Sequence, residues 1–312
     1  MEKNLDISYF SNINNKEIKT YSICCLTWNM HGQSPNNEEL NELLYNHKEK
    51  NFDIFVIGSQ ECLRSIFKSF FYSDKSIWEN HLKIYFGKEY EMISSVTLVA
   101  INIIVFVKKS IKKYIKQINF NSIKTGANYY LGNKGAVGIW FNFFNINIMF
   151  INCHLAANKE NCEKRNCNFE YIIKNMNSNF SQFDFIIFMG DLNYRLNNNN
   201  IKIDNIRNSF LYLLDYDQLI YEKKKHKKVF SFGFKEGVIN FLPTFKYYHN
   251  TDEFDVHNNK KLPAWTDRIL YLKQETRFGI LDVQQIEYNS MQNIIMSDHK
   301  PVYSYFNISI RI

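Results

Sequence analysis

The chain has 312 residues, with 38 Lys and Arg against 31 Asp and Glu for a formal net charge of +7, and 45% hydrophobic and 16% aromatic residues. That composition excludes a disordered or collagen-like chain and is enough for a core of ordinary size. The positive balance favours polyanionic partners such as nucleic acid, anionic membrane or inositol phosphates, without choosing among them.

Residues 1–19 read as a polar leader, with no apolar segment of the secretory kind, and 20–312 as a single domain without repeats or a Pro-rich linker. Strands are predicted at about 21–28, 52–58, 91–107, 137–151, 184–190, 267–273 and 300–310. Helices fall between them. NNEELNELLYNHKEK sets Leu40, Leu43 and Leu44 on one face, and ANKENCEKRNCNFEYIIKNM does so with Phe169, Ile172, Ile173 and Met176. NSFLYLLDYDQLIYEKK opens after an Asn able to cap a third helix. Between 91 and 151 there is no room for crossover helices, so antiparallel pairing is expected there, within a mixed α/β domain.

The longest apolar stretch, VTLVAINIIVFV, is broken by Asn102 and too short to span a bilayer. Six cysteines show neither a CxxC pair nor zinc spacing, which suits a reducing, cytoplasmic setting. The basic run YEKKKHKK at 221–228 reads as a solvated face, with membrane contact as the alternative. SIFKSFFYSDKSIW offers Ile66, Phe67, Phe70, Phe71, Ile77 and Trp78 among lysines, either for a membrane interface or for a helix packing its aromatic face inward.

Chemistry gathers where apolar runs end. In FMGDLNYR a buried strand closes on Asp191 and Asn193, which extended backbone would aim the same way while Leu192 turns to the core. A carboxylate beside a carboxamide can deprotonate or orient a water and hold developing charge. Alone, DxN is more readily a loop with an Asx turn. YSICCLTWNMHG runs likewise into Asn29, FDIFVIGSQE into Glu61 and FNINIMFINCH into His154, while IIMSDHKPV presents Asp298 and His299. Five such ends describe one catalytic wall.

With NKGAVGIWF, FKEGVINFLPTFKY and PAWTDRIL, these motifs resemble the inositol polyphosphate 5-phosphatases of the endonuclease/exonuclease/phosphatase superfamily, in the same order across residues 27–302. The resemblance implies two packed, mixed, mostly antiparallel sheets flanked by helices, a four-layer α/β sandwich with the active site at one edge. It implies Mg²⁺-dependent removal of the 5-phosphate from phosphoinositide lipids, soluble inositol phosphates or both. Glu61 and Asn29 would hold the metal, Asp191 would activate the water, and Asn193 would orient it or bind phosphate. His299 would contact the scissile phosphate, and His154 would be a second phosphate contact. Asp298, adjacent to His299 in sequence, would diverge from it toward the metal or the water, leaving Asp267 to hold the imidazole.

Asn133, Lys134, Tyr194, Arg195, Lys246, Lys260, Lys261 and Arg268 are the implied substrate contacts. Phe245 stands where the family usually has Tyr, and Asn259 and Lys261 stand at two positions that are usually basic, with Arg usual at the second. These departures thin the grip on a neighbouring 4-phosphate, with Lys260 or Lys261 to compensate. No nucleic acid is expected as a partner; a monomer in transient contact with anionic membrane is. A superfamily relative with another phosphoester substrate would share DLN and SDH but not PAWTDRIL. A non-enzymatic membrane module would have lost Glu61, Asp191, Asn193 or His299, and all are present.

Overall fold

Strands covered on both faces read as unbroken apolar runs, and the two central pairs of this protein do so. The structure is a computed structural model describing residues 17–62, 75–197, 207, 210–225, 232–256, 262–274, 280 and 282–312. One six-stranded sheet has the order β11-β12-β1-β2-β4-β3, from β1 (Ile18–Asn29), β2 (Ile54–Gln60), β3 (Tyr90–Leu98), β4 (Ile101–Lys108), β11 (Asp282–Ser290) and β12 (Val302–Arg311). The other has the order β5-β6-β7-β8-β10-β9, from β5 (Ile115–Gly126), β6 (Leu131–Phe143), β7 (Ile146–His154), β8 (Phe185–Asp191), β9 (Lys235–Glu236) and β10 (Asp267–Lys273).

Alternation along each strand divides the core. In β8, Phe185, Ile187 and Met189 face the other sheet, where Ile23, Cys25, Ile54 and Val56 meet them. Ile186 and Phe188 turn outward to Phe169, Ile172 and Ile173 of the helix α3 (Cys162–Met176). On the far side, Cys24, Leu26, Phe55 and Ile57 pack against α1 (Asn37–Glu49) and α2 (Lys75–Phe86). The result is the expected four-layer sandwich. Asn36 caps α1 in a capping box with Glu39.

Several expectations are corrected. β1 begins at Ile18, inside the predicted leader; residues 1–16 lie outside the described set. The apolar stretches 91–107 and 137–151 each divide into an antiparallel hairpin. The second turns at Phe144 and Asn145, both at positive φ (50° and 71°), as a two-residue hairpin turn requires. The third helix divides too, into a 3₁₀ segment Phe210–Tyr216 and the short helix α4 (Gln218–Lys225), where Asp217 Oδ1 accepts the Ile220 N–H. Asn208 is outside the described residues. No helix among the described residues is long and apolar enough to cross a membrane. Residues 63–74, which hold most of the aromatic segment, are also outside them; of its remainder, Trp78 is buried and Ile77 exposed.

Candidate active site

Among the described residues two strand pairs are parallel, β1 with β2 and β7 with β8, and their carboxyl ends make the site. Register sets Asn29 beside Gln60 and His154 beside Asp191. β10 runs antiparallel to β8 and starts opposite its end, pairing Asp267 with Asp191. Gly190 permits the tight junction, since at its φ of 137° a Cβ would stand 2.1 Å from the Cys153 carbonyl oxygen.

Asp298 and His299 do not end a strand. They occupy a turn leading into β12, and β12 runs antiparallel to β1, which sets that turn beside Asn29. Ser297 Oγ donates to the Asn29 carbonyl (2.7 Å), and Trp28 Nε1 donates to the His299 carbonyl (3.1 Å).

Asn29, Glu61, Lys134, His154, Asp191, Asn193, Arg195, Phe245, Asp298 and His299 line one cavity of about 520 Å³. Asp191 accepts hydrogen bonds from Asn29 Nδ2 (3.0 Å) and the Asn193 N–H (3.0 Å), and lies 3.2 Å from His154 Nε2. Burial opposes its charge, but His154, His299 and Lys134 outweigh burial and hold the carboxyl well below the usual range. The Asn193 bond is an Asx turn, and Asn193 sits at φ 57°. A turn, and not extended backbone, therefore brings Asn193 to the cavity.

His299 Nδ1 meets Asp267 Oδ2 at 2.9 Å, and Thr244 and Thr266 hydroxyls donate to the same oxygen at 2.7 and 2.8 Å. Burial disfavours the imidazolium, yet Asp267, Asp191 and Asp298 prevail and raise His299 to about 9. Burial lowers Lys134 to about 8 against the pull of Asp191 and Glu61; its ammonium contacts His154 Nε2. Arg195 donates to Asn193 Oδ1 (2.6 Å) and lies over the Phe245 ring (4.2 Å), whose other neighbour is the His299 ring at 4.4 Å. Arg195 Nε is buried without a hydrogen-bond partner among the described residues.

Other predicted contacts lie elsewhere. Arg268 is wholly buried, with Nη1 shared between both Asp217 oxygens (3.1 Å to each) and Nε and Nη2 bidentate on Glu236, so it serves the core. Tyr194 is likewise buried, its hydroxyl on Asn166 Oδ1 at 2.7 Å. Asn133 packs its side-chain oxygen against Gly126 and does not line the cavity. Lys246 is ion-paired with Asp255, away from the cavity lining. Asn259, Lys260 and Lys261 are outside the described residues. Sequence reasoning gave no role to His31, which lines the cavity with Nδ1 3.1 Å from Asp298 Oδ1. Its place two residues after Asn29 was the available signal.

The model of the endonuclease/exonuclease/phosphatase family 2 matches residues 26–305. The mouse type II inositol 1,4,5-trisphosphate 5-phosphatase is 32% identical over 304 residues, 92% of this chain but 29% of that relative. The polyphosphatidylinositol phosphatase INP53 of Saccharomyces cerevisiae is 32% identical over 83% of this chain and 24% of that relative. The chain thus spans under a third of the length of either.

The solved inositol polyphosphate 5-phosphatase domain of SpSynaptojanin, in complex with inositol (1,4)-bisphosphate and calcium ion, matches with a TM-score of 0.83 at 30% identity, over 97% of this chain and 89% of that one. A Cimex nitrophorin shares the fold at a TM-score of 0.72 and 20% identity, so the fold by itself carries no activity. Site, sequence and fold agree: the chain belongs to the endonuclease/exonuclease/phosphatase family 2, in its inositol polyphosphate 5-phosphatase branch.

Proposed function

We propose that this protein is a Mg²⁺-dependent phosphatase that removes the 5-phosphate of inositol phosphates, phosphoinositide lipids or both. The observation that carries the reading is the convergence of Asp191, Glu61 and the Asp267–His299 pair on one cavity, in a chain of this family. Mg²⁺ fits Glu61 and Asn29, which offer hard oxygen donors; the Glu61 carboxylate hydrogen-bonds to none of the described residues. The ion, when bound, supplies charge to neutralise phosphoryl oxygens and to acidify water.

Asp191, kept ionised, orients the attacking water and takes its proton as the water oxygen bonds to phosphorus and the bond from phosphorus to the inositol oxygen breaks, the leaving oxygen taking a proton from solvent. Asn193 is held by Arg195, and both present donors to the phosphoryl group. His299, charged at neutral pH and steered by Asp267, stabilises the negative charge that builds on the phosphoryl oxygens. Lys134 and His154 line the same wall as further phosphate contacts.

Membrane contact is supported by the β5–β6 turn, where Tyr129, Tyr130 and Leu131 are 43%, 82% and 42% exposed just before Lys134. Such residues suit an interface. All six cysteines are unpaired, in keeping with a reducing, cytoplasmic setting. The direct test is phosphate release from a panel of soluble inositol phosphates and phosphoinositide vesicles, with and without Mg²⁺. Release confined to 5-phosphorylated members and dependent on Mg²⁺ is expected; release from none of them refutes the reading.

A further inference from the structure

At the mouth of the cavity two imidazoles from separate loops face one carboxylate. His31 follows β1, and His249 lies in the turn before Asn250; their rings are 4.6 Å apart at 54°. One ligand atom from each, with one from Asp298, all fall within 4.8 Å of one another. Both histidines are exposed, whereas Asp298 is 3% exposed. Its Oδ1 stands 3.1 Å from His31 Nδ1, an ion pair whenever that imidazole is protonated. With His31 and Asp298 unprotonated, that spacing, with the His249 ring beside it, suits three ligands of one ion. The ligand chemistry differs from that at Glu61 and Asn29. Imidazole nitrogens suit zinc, nickel or copper, whereas Mg²⁺ takes oxygen. Two His and one carboxylate with an open position form a common zinc set.

We propose that His31, His249 and Asp298 bind a zinc-like divalent cation beside the Mg²⁺ position, and that its occupancy inhibits turnover. Inhibition follows from what the ion touches. It occupies Asp298, a wall of the cavity, and stands near Glu61, whose Oε2 is 3.8 Å from His31 Nδ1. A second dication there competes for the carboxylate that the first one needs.

Equilibrium dialysis of the full chain against Zn²⁺ in excess Mg²⁺ reads the site directly, with Co²⁺ absorption reporting nitrogen coordination. One Zn²⁺ per chain is expected, bound about tenfold or more weakly in His31→Asn and in His249→Ala. His249→Ala, which alters a residue outside the cavity lining, should keep wild-type turnover in Mg²⁺ alone and lose sensitivity to Zn²⁺. Wild-type Zn²⁺ affinity in both variants overturns the proposal. So does undiminished Zn²⁺ inhibition in His249→Ala, which would assign the ion to Glu61 and Asn29. The inhibition arm rests on the phosphatase reading. Dialysis needs no substrate, so a chain inactive on every inositol phosphate still tests the site.

Discussion

At His299 three carboxylates work against burial, and the sign of the outcome is set by Asp267, the one in direct contact at 2.9 Å. A group raised from 6.5 to about 9 is charged in the folded protein across neutral pH. What that charge contributes to stability is complete below 6.5 and fades as pH rises through about 9. Turnover that needs the imidazolium falls over the same upper range. Asp267→Asn keeps the volume and removes the anion, so the alkaline limb of the kcat profile should move down by about 1–3 pH units. A limb that stays near pH 9 would show that Asp267 does not set the charge of His299. The pairing was legible in sequence because Asp298 adjoins His299 while Asp267 stands on another segment. Asn193 was legible as a site residue but the turn that aims it was not, and His31 was not legible at all, because left-handed turns at φ 57° and 47° aim them and neither turn shows in a hydropathy pattern.

Among the elements, the buried strands β1, β2, β4, β7 and β8 were legible as apolar runs because helices or the opposing sheet cover both faces. β5 and β11 were not. Each is the edge of its sheet, with a mostly exposed pattern and charged residues such as Lys116, Lys124 and Glu287, so no apolar run marks it. β10 was legible, but the direction of its arginine was not. Arg268 belongs to a motif that implied substrate contact, yet it pins β10 to Asp217 before α4 and to Glu236 on β9. Arg268→Met would leave Asp217 buried without its cation and Glu236 with only Lys223 (3.9 Å) and the Tyr288 hydroxyl (3.1 Å), at a cost of about 3–5 kcal/mol. Denaturant unfolding should show that loss. An unchanged midpoint would return Arg268 to the substrate.

Across the whole molecule, the two sheets are joined beneath the cavity by polar groups as well as by apolar packing. Gln60 Nε2 donates to Asn152 Oδ1 (2.7 Å), and Asn152 Nδ2 donates to the carbonyls of Ser59 (3.0 Å) and Asn102 (2.8 Å). Gly58 makes room, since a Cβ there would meet Asn152 Oδ1 at 2.5 Å. This clamp fixes the end of β2, and hence Glu61, against the end of β7, and hence His154. Asn152→Ala should cost about 1–3 kcal/mol by removing one of the two acceptors of the Gln60 amide, which keeps Thr27 Oγ1 (2.9 Å), and the side-chain donor to the two carbonyls, read by equilibrium unfolding. Full stability in that variant would mean the sheets are set by apolar contact alone.

The central claim is that these strand ends form a phosphomonoesterase aimed at one position of the inositol ring. Its most direct measurement is the identity of the product from a 4,5-bisphosphorylated inositol lipid in Mg²⁺, compared between the wild-type chain and Asp191→Asn. Inorganic phosphate and the 4-monophosphate are expected from the wild type, with turnover down by at least about two orders of magnitude in a folded Asp191→Asn variant. Release of the 4-phosphate, cleavage of the phosphodiester, or activity in Asp191→Asn within about tenfold of wild type would contradict it.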